Sequence, residues 1–118
     1  MKIGLIGTGR HGSRYANHVI NDCEGVELSA ISRRSEQGRD QARSWQTSYY
    51  RDFKELILSD QVDAVIAAVP PVLNPEIAAL CARLNKPLLL EKPLATNSKD
   101  GGKIVALMRE AGVPLTVG

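Results

Sequence analysis

Gly7-Thr8-Gly9-Arg10-His11-Gly12 stands between an apolar run at residues 2–6 and a stretch with helical patterning over residues 10–22. A G-x-G-x-x-G spacing is weak on its own, but directly after a strand and at the opening of a helix it has a physical use. The first glycine makes a tight turn, the second lets the backbone approach a ligand, and the third lets helix and strand pack closely. The free amides and positive dipole end of the helix then favour an anion, and the pattern implies the pyrophosphate of a dinucleotide. Gly7, Thr8, Gly9, Arg10, His11 and Gly12 are the candidate contacts. A glycine-rich turn without a ligand is the simpler alternative; for His11 it is a polar surface position, and for Arg10 mere proximity to the phosphates.

Outward from this loop, strand-like and helix-like segments alternate to the end of the chain. Strands are expected at 26–33, 48–50, 64–69, 88–90 and 113–117, the fourth run (64–69) being continuous and apolar as a central parallel strand should be. Helices are expected at 36–45, at 52–58 with Asp52 near the cap, from Asn74-Pro75-Glu76 onward, and at 97–111 with Gly112 as the stop. Asn74 suits an N-cap, Pro75 the first helical position and Glu76 the positive end of the dipole. This βαβα order predicts one α/β domain over residues 1–118, a doubly wound parallel sheet of Rossmann type in a three-layer αβα arrangement. Gly101 and Gly102 resist the pattern, since each weakens a helix by about 1 kcal/mol relative to Ala. Close packing against the sheet would account for them.

Composition agrees. Hydrophobic residues make up 43% and charged residues 24% of 118, with aromatics at only 4%, so the core must be aliphatic, as in a sheet covered on both faces. A net charge of +2 gives no electrostatic case for nucleic acid. No apolar run is long enough for a membrane span. Met1 leads straight into the first strand, so no targeting peptide is expected and the chain reads as cytoplasmic. Cys23 and Cys81 are too few for a disulfide framework or a metal site; both fall in helical patterns, where a free cysteine acts as a small buried hydrophobe.

The end of the second strand bears on cofactor choice. A site for NAD places Asp or Glu about 20 residues past the glycines, on the ribose hydroxyls. This chain has Ser32-Arg33-Arg34 there and no acid. A hydroxyl and two forked guanidinium groups suit the 2′-phosphate of NADP, although solvated loop arginines at a strand end are common. NADP is therefore favoured, with NAD possible.

Glu91-Lys92-Pro93 follows the fifth strand, on the edge where doubly wound sheets bind ligands. By itself Lys92 reads as an exposed loop lysine. Combined with the glycine loop, Val62-Asp63-Ala64-Val65-Ile66 and Leu90-Glu91-Lys92-Pro93-Leu94-Ala95, it gives a chain that resembles, from end to end, the N-terminal nucleotide-binding domain of the Gfo/Idh/MocA oxidoreductases. The resemblance implies hydride transfer between a nicotinamide and a sugar- or polyol-like carbonyl or alcohol. It implies that Lys92 contacts substrate or relays its proton, that the Lys92-Pro93 region borders the nicotinamide, and that Glu91 and Lys92 are cofactor contacts. It further implies that Ala68, Val69 and Pro70 line the cofactor, with Asn74 a weaker contact. Where the family often has Asn and then His three residues later, this sequence has Pro71 and Asn74. The family's second domain carries the substrate pocket, so an excised, cofactor-binding but inactive chain is expected, with homo-oligomerisation left to its full-length parent. Two other functions fit less well: a non-catalytic dinucleotide sensor, and a Rossmann domain for S-adenosylmethionine or coenzyme A.

Overall fold

A computed structural model describes residues 1–118. Strands β1 (Lys2–Ile6), β2 (Glu27–Ser32), β3 (Ser48–Tyr50), β4 (Ala64–Ala67), β5 (Leu88–Leu90) and β6 (Leu115–Val117) form one sheet in the order β3-β2-β1-β4-β5-β6. Every neighbouring pair is parallel. Parallel neighbours require crossovers. These are built on α1 (Arg10–Asn21), α2 (Gln37–Ser44), α3 (Phe53–Leu58), α4 (Asn74–Arg83) and α5 (Ser98–Ala111).

Side-chain alternation along the strands divides the core in two. In β4, Ala64 packs with Ala16 and Val19 of α1 and Ala42 of α2. Its neighbours Val65 and Ala67 pack with Leu56 and Ile57 of α3, Ile77 and Cys81 of α4, and Ile104 and Met108 of α5. The sheet is thus covered on both faces, as the aliphatic composition predicted. Burial pushes the Cys81 thiol up to about 12, so it behaves as an inert apolar group. Lys86 caps the far end of α3, its Nζ donating to the carbonyls of Ile57 and Ser59, and burial pulls its pKa down.

Local signals place several boundaries. Asp52 accepts from the Lys54 amide at 2.9 Å, and Asn97 from the Asp100 amide at 2.8 Å, so both cap helices as their side chains suit them to do. Gly112 ends α5 with φ of 68°. Four expectations need correction. β4 stops at Ala67, and Ala68, Val69 and Pro70 turn out of the sheet into a short 3₁₀ turn, Pro71–Leu73. Asn74 does not cap α4: it already has helical angles, Leu73 precedes it as the cap residue, and no side-chain cap bond forms. Its buried amide instead donates to the Leu94 carbonyl at 2.9 Å, tying α4 to the loop after β5. Cys23 lies beyond α1 and is exposed rather than buried. Gly101 and Gly102 are not forced by packing: a Cβ at Gly101 would meet Leu94 at an ordinary 3.6 Å, and one at Gly102 would meet nothing within 4 Å.

Candidate functional site

The strand order reverses between β1 and β4, and the chain leaving β1 at that point is the glycine loop. Ligands of open α/β sheets bind at such a reversal, outside the carboxyl ends of the strands. Gly7 turns with φ of 86°, and a Cβ there would lie 2.3 Å from the Ala68 carbonyl oxygen. A Cβ at Gly12 would lie 1.8 Å from the Gly7 carbonyl oxygen, so α1 can sit against the loop only with glycine at this position. Gly9 differs: its φ is −72° and a Cβ would meet no protein atom within 4 Å. The fold does not need glycine there, and the space in front of it is open to a ligand. Helix α1 also begins with no side-chain cap and no acidic residue in its first turn. Its leading N–H groups have no side-chain partner, and an uncapped helix start of this kind could hold the pyrophosphate of a dinucleotide.

A cleft of about 830 Å³ runs from this loop across the ends of β2 and β4. It brings together nine of the residues singled out by sequence: Gly7, Thr8, Gly9, Ser32, Arg33, Arg34, Ala68, Val69 and Pro70. A second hollow of about 500 Å³, lined by no hydrophobic residue, adjoins it and contains Arg10, Ser13, Arg33, Gln37, Asp40 and Gln41. Here Arg33 Nη1 donates to the Thr8 carbonyl at 3.0 Å and to Gln41 Oε1 at 3.1 Å, while Nη2 donates to Gln37 Oε1 at 2.7 Å. His11 is exposed and outside both cavities, and Asn74 lies buried behind the cleft wall. Glu91 and Lys92 lie at the end of β5, apart from the residues lining either cavity.

The Glu91-Lys92-Pro93 turn is fixed by its backbone. The Glu91 amide donates to the Ala67 carbonyl at 3.2 Å and the Lys92 amide to the Gly118 carbonyl at 3.1 Å; the Lys92-Pro93 bond is cis. Tyr15 of α1 donates its hydroxyl to the Glu91 carboxylate. Burial, then the hydrogen bond and the negative charge of Glu91, push the Tyr15 phenol up to about 12. The Lys92 side chain itself is exposed. No group of three or more His, Cys, Asp or Glu side chains is placed to hold a metal ion. No helix is long and apolar enough to cross a membrane.

Residues that sequence reasoning missed complete the walls. Arg51 and Phe53, before and at the start of α3, line the large cleft, and Lys54 and Glu76 bridge α3 and α4 across it at 3.1 Å. Gln37 and Gln41 share one face of α2 through their i,i+4 spacing, the one local signal by which they could have been found.

A parallel sheet in this order, with a glycine loop and an uncapped helix at its switch point, defines a dinucleotide-binding Rossmann domain. The chain belongs to the Gfo/Idh/MocA oxidoreductase family: residues 1–118 match that family's NAD-binding Rossmann fold. It is 32% identical to a 4-carboxy-2-hydroxymuconate-6-semialdehyde dehydrogenase of Sphingobium sp., with 100% of this chain and 38% of the relative covered. It is 31% identical to an NADP(+) scyllo-inositol 2-dehydrogenase of Bacillus subtilis, with 98% of this chain and 35% of the relative covered. A probable dehydrogenase from Thermotoga maritima superposes with a TM-score of 0.93 at 31% identity, over 100% of this chain and 36% of that one. The chain therefore spans little more than a third of the length of these relatives.

Proposed function

We propose that the chain is the cofactor-binding domain of an NADP-dependent oxidoreductase acting on a sugar- or polyol-like alcohol or carbonyl. The observation that carries the cofactor choice is Arg33, held at the mouth of a polar hollow where an NAD site has a carboxylate. A carboxylate there accepts from ribose hydroxyls and repels a 2′-phosphate, whereas a guanidinium fork attracts the phosphate. Arg34, exposed on the large cleft, adds positive charge nearby, and Ser32 shapes its floor. One relative's name carries NADP as well.

Bound nicotinamide would supply hydride transfer; the chain's share is to bind and orient it. The amides of α1 and the open face of Gly9 would hold the pyrophosphate, and Ala68, Val69 and Pro70 the wall beside it. Lys92, on the turn after β5, would hold or relay the substrate's proton. Substrate contacts would come from a second domain, since the relatives run to nearly three times this length.

The test is a pair of calorimetric titrations, NADPH and NADH, on the chain and on Arg33→Ala combined with Arg34→Ala. NADPH is expected to bind more tightly, and the double variant to lose about tenfold or more for NADPH with NADH nearly unchanged, as befits charge-assisted bonds of about 1.5–3 kcal/mol. An unaltered affinity ratio would remove the arginines from the argument. The chain alone is expected to oxidise no polyol; cofactor-dependent turnover would overturn the two-domain reading.

A further inference from the structure

The hydrogen bonds around Arg33 single out a residue of α2 that touches neither a phosphate loop nor a strand end in sequence. Gln41 accepts from Arg33 Nη1 at 3.1 Å, accepts from the Thr8 hydroxyl, and donates its Nε2 to the Thr8 carbonyl at 2.9 Å. The same Thr8 carbonyl accepts from Arg33 Nη1 at 3.0 Å, and Gln37, one turn earlier, holds Nη2 at 2.7 Å. Thr8 is 1% exposed, so its polar atoms depend on these protein partners. A guanidinium has five N–H donors. Three are engaged here, which fixes the plane of the group and leaves two free for an incoming oxyanion.

We infer that Gln41 is a positioning residue for cofactor discrimination: it locks Arg33 to the glycine loop so that its remaining donors form a preset fork for the 2′-phosphate. The inference rests on the NADP reading above and gives it a mechanism. A free arginine must give up rotamer freedom on binding phosphate, whereas a fixed one does not. The bonds also couple the two phosphate-bearing ends of the ligand, because the residue that orients Arg33 also shapes the loop at Thr8. Arg10 lies on the same hollow and adds charge, while Asp40 on its rim is 3.9 Å from Arg43 on its own helix, within ion-pair range. Gln41 itself need not touch the phosphate.

NADPH and NADH affinities are measured for the chain, Gln41→Met, Gln41→Glu, Arg33→Ala and the double variant Gln41→Met with Arg33→Ala, with thermal midpoints recorded for each. Gln41→Met keeps the shape and removes the polar atoms; it is expected to lower the NADPH:NADH affinity ratio about tenfold. Gln41→Glu keeps an acceptor for Arg33 but sets a carboxylate against the phosphate, and a larger fall is expected. In the Arg33→Ala background, Gln41→Met should change the ratio by less than about twofold, because the group it positions is gone. If the chain prefers NADPH and Arg33→Ala abolishes that preference while Gln41→Met retains it, this inference fails and the NADP reading stands. Loss of both cofactors in equal measure in Gln41→Met, with a lowered midpoint, would reduce Gln41 to a loop support and equally overturn it. No NADPH preference in the unmodified chain would remove both readings together.

Discussion

The head of α1 and the start of α5 each contain two glycines, Gly9 with Gly12 and Gly101 with Gly102, under opposite constraints. At Gly12 the Gly7 carbonyl oxygen occupies the space a side chain would need, 1.8 Å from an added Cβ. At Gly102 that space is empty, and at Gly101 it holds only Leu94 and Ala95 at ordinary contact distance. The difference teaches that glycines in a pattern fall into separable cases: required by packing, facing space open to a ligand, or neither. Gly12 serves packing, Gly9 faces space open to the proposed pyrophosphate, and the α5 pair serves neither. Substitution by alanine separates the three.

The largest effect is expected at Gly12. Gly12→Ala drives a methyl into a backbone carbonyl at the junction of β1 and α1, and neither element can retreat without disturbing the parallel sheet. The expected loss exceeds ~3 kcal/mol, read as a lowered urea midpoint with an unchanged slope. A variant of near-native stability would mean that the loop can open away from α1, and the packing cause would fall.

Gly9→Ala should leave stability within about 1 kcal/mol, because its φ of −72° suits any residue and nothing stands within 4 Å. Affinity for NADPH and NADH should nevertheless fall together, by about tenfold or more, since the methyl occupies the approach to the pyrophosphate. Equal binding in Gly9→Ala would place the phosphates elsewhere and leave the loop a purely structural turn.

These distinctions also mark where the sequence was sufficient. The spacing of glycines between β1 and α1, the cap at Asp52 and the stop at Gly112 all depend on neighbours a few residues away, and all were legible; Asn97, read as the first helical residue, is instead the cap. Asn74, misread, and Gln41, missed, depend on partners distant along the chain. Asn74 looks like a cap because of Pro75 and Glu76 beside it, yet its amide bonds to Leu94 twenty residues on. Gln41 reads as one polar residue among many on a surface helix until Thr8, 33 positions earlier, is placed against it. The NADP argument at Ser32-Arg33-Arg34 sits between these cases: the missing acid and Gln37 are local, but the Thr8 carbonyl that also fixes Arg33 lies 25 residues back.

Tyr15 tests how firmly the α1 side of the comparison is anchored. It lies one turn beyond the glycine loop and ties α1 to Glu91 across 76 residues of sequence. Tyr15→Phe should cost about 1 kcal/mol near pH 8, a typical net value for one hydrogen bond. The phenol is raised from 10.0 to about 12 in the fold, so its contribution is complete below pH 10 and lost as pH rises through about 12. Stability of the unmodified chain should therefore fall more steeply between pH 10 and 12 than that of Tyr15→Phe. Parallel pH profiles would show that the hydroxyl has the same surroundings folded and unfolded, and that Glu91 does not hold α1.

The smallest effect, and the one of opposite sign, is expected at Gly102. Its residue position is exposed, its φ is not in the left-handed region, and an added Cβ meets nothing within 4 Å. Alanine there restricts the unfolded chain without straining the helix, so Gly102→Ala should stabilise by about 0.5–1 kcal/mol, visible as a raised urea midpoint. Gly101→Ala should be neutral to stabilising, since 3.6 Å from Leu94 is ordinary contact. Neither change should alter dinucleotide affinity, because neither residue lines the cleft or the polar hollow. A destabilised Gly102→Ala would break the comparison from the α5 side. It would mean that the helix start samples conformations that alanine forbids. The pair would then join Gly9 as residues retained for something other than the packing of this domain.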